Sequence, residues 1–517
     1  MNIYFEMPEY ASPALRARLG YAFRLFCAVY GHRPILDSAD AANGEVAIRY
    51  RDASACASIA DVRTVWLCRG LRERDTRHPA PPPIKYTHDG LTTLLHYSPE
   101  RSKAPDWLGE IFEWVSCADE YSVTEHDSIG RPVFEATYAG RHSIDVRTPY
   151  AALAMRGLQQ EICRAAPRAG ENPHPPEGLE GHVVLPTHDV DYFAMGRLHA
   201  AHRLIRNAVI SCVLTRRPAL GLRQAGYAAR LLLGSDSDPL DQLVRVAEEE
   251  LRQGFSSSYY FLVRNAHRRD AGYTLANAGV LEMMRWLEAR GMEIGLHGSF
   301  TSLEEPGGLG EERRSLEAEA VRTLGGRQHW LRYTLDRLLP AVESAGLQYD
   351  ASIGWSRQIG FRAGACFAFP PYDFAKEGPA AFLEFPLVVM DQALDAPAWR
   401  NAPLFHEVTQ MIGTSRRLGW GGISLLWHPA AFGDGWLATE VGNMYWRLAV
   451  DRRRWKDLWL KASQFLEIAR PRYVEAGLLP AQAPSAVAQH YPFTNFAGER
   501  NRTSPTPVPL TGNAMRA

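Results

Sequence analysis

Two aspartates and three histidines carry most of the chemistry this sequence offers. Asp189 and Asp191 lie two residues apart in Thr187-His188-Asp189-Val190-Asp191. On an extended strand that spacing sets both carboxylates on one side. Carboxylates so close raise each other's pKa unless a cation sits near them. A division of labour removes the conflict, with one carboxylate on a metal and the other free as a base. His297 in Ile294-Gly295-Leu296-His297-Gly298-Ser299, His329 in Gly325-Gly326-Arg327-Gln328-His329-Trp330-Leu331-Arg332, and His428 after Ile423-Ser424-Leu425-Leu426-Trp427 supply imidazole nitrogens. Zinc and related ions take imidazole nitrogen and carboxylate oxygen, and a catalytic site keeps a position for water. Taken singly, each residue has a plainer role. An Asp-x-Asp suits a cap plus a solvated loop position, and a lone histidine beside an apolar run suits a hydrogen-bonded core site. Taken together they favour a metal.

The elements needed to position them are legible as short apolar runs. Val183-Val184-Leu185 leads into Asp189 and Asp191, Ile294-Gly295-Leu296 into His297, and Ile423-Ser424-Leu425-Leu426-Trp427 into His428. Such runs alternate with helical stretches from residue 182 to 470, the pattern of β/α units. In a barrel of parallel strands the C-terminal ends share one face, so residues delivered there converge. The expected class is α/β: a deformed (β/α) barrel over residues 182–470, with a smaller α+β N-terminal domain over residues 1–165. A proline- and glycine-rich linker separates them at 166–181, and a disordered tail follows at 471–517. His88-Asp89 echoes the later motif, but nothing nearby completes a site, and a turn at a strand end accounts for it.

Composition narrows the class. Of 517 residues, 46% are apolar and 22% charged, which excludes collagen, coiled coil and global disorder. With 57 basic against 58 acidic residues there is no overall field to attract nucleic acid, and none is expected as a partner. No apolar run reaches membrane-spanning length. Met1-Asn2-Ile3-Tyr4-Phe5-Glu6 lacks the basic start of a secretory signal. Seven scattered cysteines without a C-x-x-C read as reduced thiols, so a cytoplasmic location is expected. Nucleophile elbow, H-E-x-x-H, P-loop and G-x-G-x-x-G patterns do not occur.

Over residues 182–470 the motifs resemble those of the polysaccharide deacetylases, the NodB-homology, carbohydrate esterase 4-like group. Thr187-His188-Asp189-Val190-Asp191-Tyr192 is similar to that family's first motif, which implies Asp189 as catalytic base and Asp191 as metal ligand. Glu293-Ile294-Gly295-Leu296-His297-Gly298-Ser299-Phe300 is similar to the second motif and implies His297 as a ligand. Leu425-Leu426-Trp427-His428-Pro429 is similar to the last and implies His428 as general acid. The second motif's second histidine is replaced by Thr301. His329 is the expected substitute, with water or Ser299 as alternatives. The resemblance implies one divalent ion, zinc by expectation, and removal of an N-acetyl group, or less readily an O-acetyl group, from a sugar in surface polysaccharide or glycoconjugate assembly. An amidohydrolase acting on a non-sugar amide and a carbohydrate-binding relative without catalysis are the rival readings. Arg327, Arg332 and Arg362 are candidates to orient Asp189 or bind an anionic substrate, unless they form structural ion pairs. Trp355, Trp427 and Tyr372 are candidates to stack on a sugar, unless they pack the core.

One further segment stands out. From Arg197 to Gly234 there are seven arginines and no acid, interleaved with Leu198, Leu204, Ile205, Val209, Ile210, Val213, Leu214 and Leu231-Leu232-Leu233. A basic amphipathic segment of this kind can make peripheral contact with an anionic inner membrane. A helical lid whose arginines pair with acids elsewhere is the alternative.

Overall fold

The computed structural model describes residues 1–9, 11–51, 63–68, 70–71, 80–97, 104–193, 196–214, 216–234, 241–305, 307–319, 321–395, 403–433 and 439–481. Its main sheet is parallel throughout and follows the spatial order Leu383–Glu384, Tyr349–Asp350, Gly325–Gln328, Glu293–Gly298, Ser258–Phe261, Val183–Val190, Gly421–Leu426, Leu387–Met390. A ninth short strand, Leu458–Trp459, pairs with Val183 and Val184. The two edge strands are separated in sequence by Phe385 and Pro386 alone, so the sheet has to curl until its edges approach. It forms a half-barrel, and a parallel bridge between Gly354 and Leu387 crosses the seam.

Glycines allow two of the tightest approaches. A Cβ on Gly326 would lie 1.9 Å from the Leu296 carbonyl oxygen, so only glycine lets these strands pair just before Arg327. Gly421 and Gly422 have φ of 88° and 85° and open the strand leading to His428 with a register shift.

The N-terminal residues form a four-stranded parallel sheet in the order Arg33–Ile35, Asn2–Phe5, Val46–Arg51, Thr64–Cys68. The helix Pro13–Tyr30 starts at Ser12, whose hydroxyl accepts the Leu15 N–H, and stops at Gly31 with φ 72°. His88 and Asp89 lie at the turn of a separate hairpin, Ile84–His88 with Leu91–Leu95, where Asp89 pairs with Arg164. One buried apolar cluster runs from Ile3 through the half-barrel to Leu479. Polar links cross the same boundary: Tyr21 Oη to Pro370 O at 2.7 Å, Phe361 N to Val146 O at 2.7 Å, and Trp420 Nε1 to Val29 O at 3.1 Å.

Residues 166–181 hold a short turn at Pro167–Ala169 and are mostly exposed. Past residue 470 the helix Ala462–Glu475 continues with Pro471 inside it, and Leu478 and Leu479 are buried beyond it. The helix and the buried leucines therefore occupy the start of the tail expected over 471–517, and residues 482–517 lie outside the described set. Among the described residues no helix is long and apolar enough to cross a membrane.

Candidate metal centre

The strand Val183–Val190 is buried along its whole length, so its alternating side chains divide between two interiors. His188 points to one side, where its Nε2 lies 2.8 Å from Glu250 Oε1 and its Nδ1 donates to Trp427 O at 2.5 Å. Thr187 and Asp189 reach the other side, where Arg327 meets both. Arg327 Nη1 donates to Thr187 Oγ1 at 2.9 Å and to Asp189 Oδ1 at 2.8 Å, while its Nε donates to Ala351 O at 2.7 Å. Both partners of the Arg327–Asp189 pair are buried. Burial opposes the charge on Asp189, but Arg327, then His297 and His428, hold its carboxyl below the usual carboxylate range.

Asp191, just past the strand, meets histidines from three other strand ends. His297 Nε2 is 3.2 Å from its Oδ1, and His428 Nε2 is 3.5 Å from its Oδ2. The His297 and His329 rings stack with centroids 4.7 Å apart. Donor atoms of Asp191, His297 and His329 all lie within 4.8 Å of one another, the one such trio among the described residues. Their hydrogen bonding suits an ion. His297 Nδ1 faces the Arg327 carbonyl oxygen at 2.9 Å, which can only accept, so the proton sits there and Nε2 is left as a ligand. Asp191 Oδ1 and His329 Nδ1 are buried without a hydrogen-bond partner. Burial pushes His329 down to about 4 against the pull of Asp191, which keeps its ring neutral as a ligand must be. The trio fits a divalent cation.

His428 is held by a residue that the motifs did not single out. Asp391, fully buried, accepts the His428 backbone N–H at 2.8 Å and faces its Nδ1 at 2.9 Å. Burial alone would depress His428. The charge of Asp391, with Asp191 and Asp189 behind it, instead lifts it to about 9. Asp391 follows the strand Leu387–Met390 directly, so an apolar run ending in an acid was the available signal.

The remaining candidates fall elsewhere. Arg332 is committed to Ile129 O, Phe300 O and Glu304. Arg362 pairs with Glu120 at 2.8 and 2.6 Å and also donates to Gly354 O, so both arginines tie loops together, and neither touches Asp189. Trp427 is buried, with Nε1 donating to Val441 O at 2.9 Å, and Tyr372 packs against Tyr21 and Phe112. Trp355 is buried between Phe134 and Arg362. Core packing rather than sugar stacking accounts for Trp427 and Tyr372. Thr301 donates to Glu305, and Ser299 is engaged by Glu312 and Arg264. The aromatic side chain that is exposed beside the trio is Trp330, with φ 63° directly after His329.

No protein-family model matches this chain, and no curated protein matches it. Among solved structures, one described as a "putative polysaccharide deacetylase from Mycobacterium smegmatis" aligns over 60% of this chain and 98% of its own, at 16% identity and a TM-score of 0.36. A likeness that slight leaves the functional reading to the geometry of the site.

Proposed function

We propose that the chain is a metal-dependent hydrolase that removes an N-acetyl group from a sugar during assembly of a surface polysaccharide or glycoconjugate. One observation carries the hydrolytic part. Asp191, His297 and His329 gather their donor atoms within 4.8 Å, and a second carboxylate and a third histidine, Asp189 and His428, flank them with partners of their own. The motif resemblance supplies the acetylated sugar. A divalent ion held by the trio, zinc by the chemistry of the donor set, would polarise the acyl carbonyl and acidify a water. Asp189, fixed by Arg327, takes the proton of the attacking water. His428, aimed by Asp391, gives a proton to the amine as the C–N bond breaks, leaving acetate and the free amino sugar.

Acetate release from a panel of N-acetylated sugars, O-acetylated sugars, and cyclic and linear amides tests this reading. Release from N-acetylated sugars that a chelator abolishes and zinc restores is the expected result. Turnover of the non-sugar amides alone would replace the sugar with another amide. Stoichiometric metal with no turnover on any member would leave a binding protein.

A further inference from the structure

The helices Arg197–Val213 and Pro218–Leu232 pack on each other as a hairpin beside the metal centre. Their inner face is small and apolar: Ala200, Ala201, Leu204, Ala228 and Leu231 close on Tyr192 and Ala430. Those two contacts lie one residue past Asp191 and two past His428. The outer face is also apolar. Of the thirteen large apolar side chains exposed among the described residues, nine are on this hairpin, with Leu214 75% and Leu233 81% exposed. Soluble proteins rarely concentrate so many exposed apolar side chains on one element without an occupant.

Charge identifies the occupant. The segment holds seven arginines and no acid in a chain whose net charge is −1. Arg217 is tied to Asp395, Arg203 lies over the Tyr192 ring and Arg230 over the Tyr227 ring, and Arg197, Arg206, Arg216, Arg223 and Arg230 all keep exposed surface. A second copy docking face to face would set arginine against arginine. An anionic lipid leaflet meets both features, with acyl chains for the leucines and valines and headgroups for the guanidinium groups.

We propose that this hairpin docks on an anionic membrane surface and sets the metal centre beside the leaflet, where a sugar borne on a lipid presents its acetyl group. The docking stands on the hairpin alone, and the lipid-borne sugar rests on the hydrolase reading. Co-sedimentation of the full chain with vesicles of equal parts phosphatidylglycerol and phosphatidylcholine tests the docking without turnover. Binding that weakens with salt and is absent on phosphatidylcholine alone is expected. Each arginine is worth roughly fivefold, so Arg206→Gln, Arg216→Gln and Arg223→Gln together lower affinity on the order of a hundredfold. Val213→Ser, Leu214→Ser and Leu222→Ser lower it even at low salt. No sedimentation at low salt overturns the proposal, as does binding unchanged by both variants. A dimer in sedimentation velocity that the serine variant dissociates overturns it too, assigning the face to a second copy. Any of these failures leaves acetate release on soluble sugars untouched, which separates this proposal from the reaction.

Discussion

Replacing Glu250 with alanine should destabilise this protein severely, although the residue lies outside the metal centre. The carboxylate is fully buried and faces four polar partners: His188 Nε2 at 2.8 Å, Ser257 Oγ at 2.5 Å, Tyr259 Oη at 3.0 Å and the Tyr445 hydroxyl. A buried polar group left unsatisfied costs about 1–3 kcal/mol, so four at full cost would reach roughly 4–12 kcal/mol. Hydroxyls rotate and water can enter the space left behind, so the lower end governs, at about 4 kcal/mol. Glu250→Gln keeps one accepting oxygen and adds an amide N–H₂ to which the hydroxyl oxygens can accept, which reduces the loss to about 1–2 kcal/mol. Urea unfolding at pH 7, followed by tryptophan fluorescence, measures both. Because His188 precedes Asp189 on the same strand, amide exchange in Val183–Val190 should rise in parallel. A cost below about 1 kcal/mol for alanine, or equal costs for alanine and glutamine, would refute the account of this network.

Three further outcomes follow from the metal centre. His329→Ala should weaken zinc binding in a calorimetric titration, and wild-type affinity with full stoichiometry would remove it from the ligand set. Asp189→Asn and His428→Ala should retain the ion while turnover falls, by ~10²–10⁴-fold for the histidine; loss of the ion in either would show that ligand and acid–base roles are exchanged. Asp391→Asn should retain the ion and lower turnover by about 10–100-fold, since one charge-assisted hydrogen bond of about 1.5–3 kcal/mol is weakened; an unchanged rate would free His428 from its dependence on Asp391.

What the sequence displayed and what it hid differ in range. The strands ending near Asp189, His297 and His428 were legible because each is a local apolar run. The half-barrel follows from their alternation with helices. Arg332 and Arg362 were ambiguous because their partners lie far away in the chain: Arg362 meets Glu120, 242 residues earlier, and Arg332 meets Ile129, 203 residues earlier. Asp391 was missed although it repeats the pattern of Asp189, because its role depends on His428 lying on the neighbouring strand. The tail expected over 471–517 begins inside a helix, because packing of Tyr473 in the shared core, which no local composition reveals, carries Ala462–Glu475 past Pro471.

The seam of the half-barrel has a consequence for modularity. Gly360 N donates to Val388 O at the seam, and the same stretch is gripped by Val146 O, by Ala151 N on Gly364 O, and by Glu120 on Arg362. The N-terminal residues thus serve as a wall of the barrel. Residues 182–481 expressed alone would bare a buried guanidinium and the apolar underside of the seam. The half-barrel is therefore not a portable unit: shuffling it between proteins, or trimming it for engineering, requires carrying its N-terminal wall along.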